Sequence, residues 1–176
     1  CECLAAIRAL PVPVALPETE ARIAAVLKAC HALGVPVVAR GVGTGLSGGA
    51  MPDAMGVTLS LAKFNRIVKL DAFARTAVVQ CGVRNLAISE AAAAHGLYYA
   101  PDPSSQIACT IGGNVAQNPG GVHCLKYGLT LHNGIKGRGF TGESEAVSLG
   151  AHAPGAARRD LLAGGGGREG MLAVST

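Results

Sequence analysis

The chain has 176 residues, with 25 Gly, 9 Pro, 49% apolar and 15% charged residues and a formal charge of +4, which suits one modest globular domain and excludes global disorder. Its glycines lack a triplet period, which excludes collagen, and no stretch reaches the ~18 uncharged apolar residues that would cross a bilayer. Lys and Arg are scattered and only three Phe and three Tyr accompany them, so the clustered basic and aromatic surface of a nucleic-acid binder is absent.

In chain order, the first expected element is a helix over residues 17–34, where Ile23, Val26, Leu27, Cys30 and Leu33 recur at three- and four-residue spacing before Gly34. A short buried strand is expected at 35–39, followed by a glycine-dense loop over 40–50. Residues 57–61, 67–71 and 76–80 read as three strands, and 83–94 as a second helix. From 96 to 133 Pro and Gly break any long element, leaving room for one short helix at 111–118. Beyond Gly134 the apolar periodicity fades, through a glycine run at 164–167, until residues 171–176 read as a closing strand. A start at Cys1, the lack of a leader and the abrupt apolar end read as a fragment.

Two segments could carry chemistry. Gly43 to Gly48 matches G-x-G-x-x-G after a strand, but Gly49, Pro52 and Asp53 follow where a nicotinamide-binding fold needs a helix. What survives is a loop whose bare backbone N–H groups and Thr44 and Ser47 hydroxyls favour an anion, with a plain glycine-rich hairpin connection as the alternative. The second segment spans 101–121. Thr110 there would cap a short helix, Gly112 and Gly113 would let a ligand approach the backbone, and Asn114 and Asn118 would project from one helix face. The alternative is a long structural loop.

Six cysteines, Cys1, Cys3, Cys30, Cys81, Cys109 and Cys124, form no C-x-x-C pair and read as reduced, mostly buried thiols. His95, His123 and His132 stand far apart with no Glu or Asp at ligand spacing, so they read as satisfied loop histidines and no metal site is expected.

Four segments, RGVGTGLSGG (40–49), VRNLAISE (83–90), YYAPDPSSQIACTIGGN (98–114) and GGVHCLKYG (120–128), resemble the FAD-linked subunit of bacterial glycolate oxidase. That subunit groups with D-lactate and D-2-hydroxyglutarate dehydrogenases among the vanillyl-alcohol-oxidase-like flavoproteins. The resemblance implies an α+β, PCMH-type FAD-binding domain of two α/β lobes, about 1–72 and 73–176, with the cofactor between them. It makes Arg40, Gly41, Gly43, Thr44, Gly45, Leu46, Ser47, Gly48 and Gly49 the pyrophosphate loop. Pro101, Asp102, Ser105, Thr110, Gly112, Gly113, Asn114, Asn118, Gly120 and Gly121 would wrap the riboflavin portion, with Tyr127 and Gly128 close behind. Relatives that tether FAD covalently carry a His in the first loop; none stands between Arg40 and Gly49, so non-covalent FAD is expected.

The chain departs from the pattern at three places. Gln117-Asn118-Pro119 stands where Glu-Asn-Ala is usual, and Pro119 removes a backbone N–H. After Asn133 the usual strand, acidic turn and second strand are not recognisable. Near the end Asp160-Leu-Leu and 167–174 resemble the closing stretch, but Arg168 replaces a small Ser. The implied function is the flavin-binding part of a 2-hydroxy-acid dehydrogenase or oxidase of glycolate or D-lactate type. Its small-acid substrate would meet a C-terminal domain absent from this sequence, so no catalytic residue is named. Electrons would leave to another subunit or carrier, such as an iron–sulfur subunit. The expected location is cytoplasmic, with partner subunits as the route to the inner-membrane surface. A truncated, inactive flavin-binding module is the alternative, with a nicotinamide-binding protein behind it.

Overall fold

The computed structural model describes residues 13–150, 167–168 and 172–176; Cys1, Cys3, the stretch 151–166 with Asp160, and 169–171 lie outside the described residues. Thr19 caps α1 (Glu20–Ala32), its hydroxyl accepting from the Arg22 N–H at 3.3 Å, so the helix begins three residues later than Pro17. It ends before Gly34, whose φ of 64° turns the chain so that the Val35 N–H reaches the Cys30 carbonyl at 2.9 Å. Of the apolar residues read as one face, Ile23, Leu27 and Cys30 are buried and Val26 is half-buried, whereas Leu33 is the C-cap and 77% exposed.

That face covers a parallel three-stranded sheet in the order β1 (Val14–Ala15), β3 (Val57–Ser60), β2 (Val37–Arg40). Parallel pairing of β2 with β3 makes residues 41–56 a crossover and not the hairpin connection considered above, and the crossover contains no helix. β4 (Ile67–Asp71) and β5 (Thr76–Val79) form an antiparallel hairpin, and residue 72 falls in its turn. Asp71 Oδ1 accepts from the Ala74 N–H at 2.9 Å there; that bond holds the Asp71 carboxyl below its ordinary range.

α2 (Asn85–Ala92) continues into a 3₁₀ turn, Ala93–His95, which Gly96 ends at φ 67°. α3 (Ile111–Gln117) is followed by two single-turn helices, α4 (Cys124–Tyr127) and α5 (Thr130–Asn133), where only loop was expected. Four residues are too few to leave a periodic signature, so the sequence could not announce them.

The segment after Asn133 corrects the sequence reading. β6 (Lys136–Phe140) and β7 (Ala146–Gly150) form a full antiparallel hairpin around a turn bearing Glu143 and Glu145, and β8 (Val174–Ser175) pairs with the other edge of β6. Glycines hid the strand. A Cβ on Gly139 would collide with the Val174 carbonyl oxygen, so this position must be bare for β8 to lie alongside. Gly139→Ala is therefore expected to lower stability by about 1–3 kcal/mol, read as a drop in chemical-denaturation midpoint.

One core joins these elements: Ile23, Leu27, Leu59, Leu61, Phe64 and Cys81 pack with Phe140 and Val174. Ile23 and Leu59 are fully buried, each contributing about 1.5–3 kcal/mol of transfer free energy. This core fixes the carboxyl end of β2, where the first glycine loop begins.

Candidate functional site

The first loop leaves the end of β2, where the Arg40 carbonyl accepts from the Leu61 N–H at 3.0 Å. Gly43 and Gly48 adopt φ of 83° and 88°, conformations that L side chains disfavour, and the Met51 N–H closes a turn on the Gly48 carbonyl at 2.9 Å. Thr44, Leu46, Ser47 and Gly49 are exposed.

The second segment is braced from beneath. Asn85 is completely buried at the start of α2; its N–H donates to the Cys109 carbonyl at 2.9 Å and its Nδ2 to the Pro101 carbonyl at 3.1 Å. The Ser105 carbonyl accepts from Ala108 and Cys109, forming the turn into α3. Sequence reasoning passed over Asn85, because a polar residue opening a helix looks like an ordinary terminus.

Two expectations about α3 change. Thr110 occupies the cap position but its side chain makes no capping bond; instead the Ile111 and Gly112 N–H groups donate to the Val83 and Cys81 carbonyls at 2.9 and 2.8 Å. Gly112 is bare because Cys81 lies against it, a Cβ there falling 2.8 Å from Cys81 Cβ. Asn118 does not share a helix face with Asn114. It ends the helix at φ 55°, and its Oδ1 accepts from the Leu131 N–H at 3.0 Å. Asn114 stays in α3, buried, with Nδ2 lacking any hydrogen-bond partner.

The two segments meet. A Cβ on Gly41 would lie 2.5 Å from Thr110 Oγ1, and one on Gly45 would run into the Gln117 amide. Loop 40–49 is thus pressed backbone-first onto α3, and Gln117, noted in the sequence as a departure, is the side chain that fills the space Gly45 leaves. Pro119, lacking an N–H, serves as an acceptor: its carbonyl takes both the Thr130 N–H at 3.0 Å and the Thr130 hydroxyl at 2.7 Å. Gly120 and Gly121 run beside Asp102, whose N–H donates to the Gly120 carbonyl at 3.2 Å.

Tyr127 ends α4 and Gly128 is its C-cap. The Tyr127 ring meets Tyr98 edge-on at 6.1 Å with Lys126 5.0 Å from its centroid, and Gly128 leaves room for the His132 ring. The Tyr98 contact and then Lys126 pull the Tyr127 phenol down, while the same contact pushes Tyr98 up. His123, read as a satisfied loop histidine with no Glu or Asp at ligand spacing, is satisfied by a distant carboxylate: its Nδ1 lies 2.5 Å from Asp102 Oδ2. The residues are 21 apart in sequence, beyond any spacing rule. Among the described residues no three His, Cys, Asp or Glu side chains gather.

Cys30, Cys81 and Cys109 are buried and Cys124 half-buried, none in a disulfide. Burial pushes the Cys81 thiol up to about 12. Iodoacetamide at pH 8 is therefore expected to spare Cys81 in the native chain and modify it only after unfolding, read by peptide mass spectrometry. An open pocket of about 270 Å³ lined by Leu27, His31, Val37 and Val174, among others, shares no residue with either glycine segment. No helix among the described residues is long and apolar enough to cross a membrane.

Residues 11–150 match the family model described as FAD binding domain. The chain is 57% identical over 176 residues to the glycolate oxidase subunit GlcD of Escherichia coli K12, covering 100% of this chain and 35% of that protein. It is 35% identical over 167 residues to a D-lactate dehydrogenase of Archaeoglobus fulgidus, covering 93% of this chain and 37% of that one. The solved structure of 6-hydroxy-D-nicotine oxidase from Arthrobacter nicotinovorans superposes with a TM-score of 0.78 at 20% identity, over 93% of this chain and 34% of the other, which shows the shared fold. The chain thus spans about a third of the length of the curated relatives it matches. With the PCMH-type α+β architecture and the matched residues agreeing, the chain belongs to the FAD binding domain family, whose cofactor is FAD.

Proposed function

We propose that this chain is the FAD-holding part of a dehydrogenase or oxidase acting on a small 2-hydroxy acid of glycolate or D-lactate type. The observation that carries this reading is the meeting of the two glycine segments, Gly41 on Thr110 and Gly45 on Gln117. The helix on which this bare backbone rests, α3, also carries a buried side chain whose amide hydrogens have no partner, Asn114. These features fit a cofactor that is held by backbone N–H groups at a pyrophosphate and by amide groups elsewhere.

In this reading Arg40, Gly41, Gly43, Thr44, Gly45, Leu46, Ser47, Gly48 and Gly49 hold the pyrophosphate. Thr110, Gly113, Asn114 and Gly120 lead the riboflavin contacts, and the lobes divide near residue 72. The chemistry supplied by bound FAD is acceptance of a hydride equivalent from the carbon bearing the substrate hydroxyl. The chain's own part is to hold that cofactor non-covalently and to exclude water from it, with α3 and the 118–121 turn as its rigid wall. In this reading substrate capture falls to the part of the relatives' length that this third does not cover, and electrons pass onward to another subunit or carrier, such as an iron–sulfur subunit.

The test is a titration of the purified chain with FAD, followed in the visible band near ~450 nm, with NADH as a parallel titrant. Saturable FAD binding supports the reading. NADH binding without FAD binding would replace it with a nicotinamide site. The longer protein carrying this chain should then reduce an artificial acceptor with glycolate or D-lactate and not with simple alcohols.

A further inference from the structure

Asp102 was expected among the residues wrapping the cofactor, yet its polar groups are spent on the protein. Its N–H donates to the Gly120 carbonyl at 3.2 Å, Oδ1 accepts from the His123 N–H at 3.1 Å, and Oδ2 meets His123 Nδ1 at 2.5 Å. The backbones of Asp102 and Gly121 form an isolated parallel bridge, and Gly121 approaches so closely that a Cβ would overlap the Asp102 carbonyl. One residue therefore ties down three positions, 120, 121 and 123, of the turn that runs from α3 to α4.

The consequence lies on either side of that turn. Upstream are Asn118 and Pro119, locked to α5 through Leu131 and Thr130. Downstream is α4, with Tyr127 against Tyr98. Residues 98 and 102 thus oppose 127 and 123, so the pair sits where two chain segments are stapled edge to edge.

Resting on the FAD reading above, we infer that Asp102 and His123 form a latch: a pair of positioning residues that fix the 120–123 turn for the cofactor without either carboxylate oxygen touching it. Exposed ion pairs add little to global stability, and the His123 side chain is 65% exposed, so the effect of the latch is local order and not overall folding. Latch residues act as a unit, which makes their substitutions non-additive.

The pair also has a pH signature. The groups facing Asp102 are His123 from the turn and Tyr98 from the preceding segment, with Lys126 and Tyr127 on α4 beyond. The His123 hydrogen bonds hold the Asp102 carboxyl below its ordinary 3.8. A carboxyl depressed by folding contributes above its unfolded pKa and is lost as pH falls through the folded one. The turn should therefore stay ordered through the ordinary carboxylate range and open only in stronger acid.

The experiment has two arms on the same proteins: hydrogen exchange of the 120–128 amides in the chain without FAD, from neutral pH down to below the carboxylate range, and FAD affinity by fluorescence titration. His123→Ala, at an exposed position that spares the fold, and Asp102→Asn are each expected to speed exchange in the turn about tenfold and weaken FAD about five- to tenfold. The double variant should be no worse than the worse single one, His123→Arg should stay within about twofold of the parent, and acid opening of the turn should disappear in Asp102→Asn. Unchanged exchange in His123→Ala, or effects that multiply in the double variant, would overturn the latch. So would a loss of FAD in Asp102→Asn that His123→Ala does not share, since Asp102 would then touch the cofactor directly. If the parent chain binds no FAD, the functional reading fails while the exchange arm still decides the latch.

Discussion

Gly121→Ala is expected to cost this chain roughly 2–5 kcal/mol and most of its FAD affinity. Two independent penalties meet at this position. Its φ of 84° lies in the left-handed region, where a Cβ costs about 1–3 kcal/mol. The space is also taken, because that Cβ would overlap the Asp102 backbone carbonyl and crowd Oδ1, and a main-chain carbonyl cannot swing aside as a side chain would. The turn must part from Asp102, carrying away the Gly120 and His123 hydrogen bonds with it. A thermal melt and an FAD titration of the variant measure both losses. Gly142→Ala is the control: a Cβ there meets nothing within 4 Å, and its stability should change by less than about 0.5 kcal/mol. A Gly121→Ala chain that melts and binds like its parent would show that the turn does not lie on Asp102.

Asn114→Leu is expected to separate stability from binding. Asn114 is 4% exposed and held in α3 by backbone bonds to Thr110 and Asn118 at 2.9 and 2.7 Å, while Nδ2 has no partner. An unsatisfied buried donor costs about 1–3 kcal/mol, so a side chain of the same branching with no polar hydrogens recovers that cost against the crowding of its two bulkier methyls and should leave the cofactor-free chain about as stable as its parent. Leucine's better helix propensity acts on the favourable side. FAD affinity should fall about tenfold to a hundredfold, because the donor that the cofactor would satisfy is gone. Equal affinity in variant and parent would remove Asn114 from the site; a large loss of stability would mean that its amide is already engaged within the protein.

These outcomes turn on how local and distant information divide along the chain. Helix α1 was legible because apolar residues at three- and four-residue spacing bury one face whatever lies opposite, and a threonine cap and a left-handed glycine bound it locally. The strands β4 and β5 with a turn between them, and the lack of a helix directly after β2, were legible for the same reason: turn chemistry and the conformational freedom of glycine act within a few residues. The order of the glycine motifs was enough to indicate the FAD binding family.

What the residues could not announce depends on partners far away in sequence. β6 reads as a broken stretch until Val174 is seen to cross at Gly139, because a strand face filled by another backbone needs no side chain of its own. Gly45 and Gln117 are 72 positions apart, and only the packing of the first loop onto α3 makes one the receptacle of the other. Asn118 leaves the helix it was expected to share with Asn114 because Leu131 offers its N–H from α5. Asp102 finds its histidine because the turn after α3 doubles back on the segment before it. The sequence by itself determined the three longer helices, the glycine-rich stretches and the family they compose. Tertiary structure alone decided which bare positions admit a neighbouring chain and which stand open, since a glycine looks the same in sequence whatever fills the space beside it.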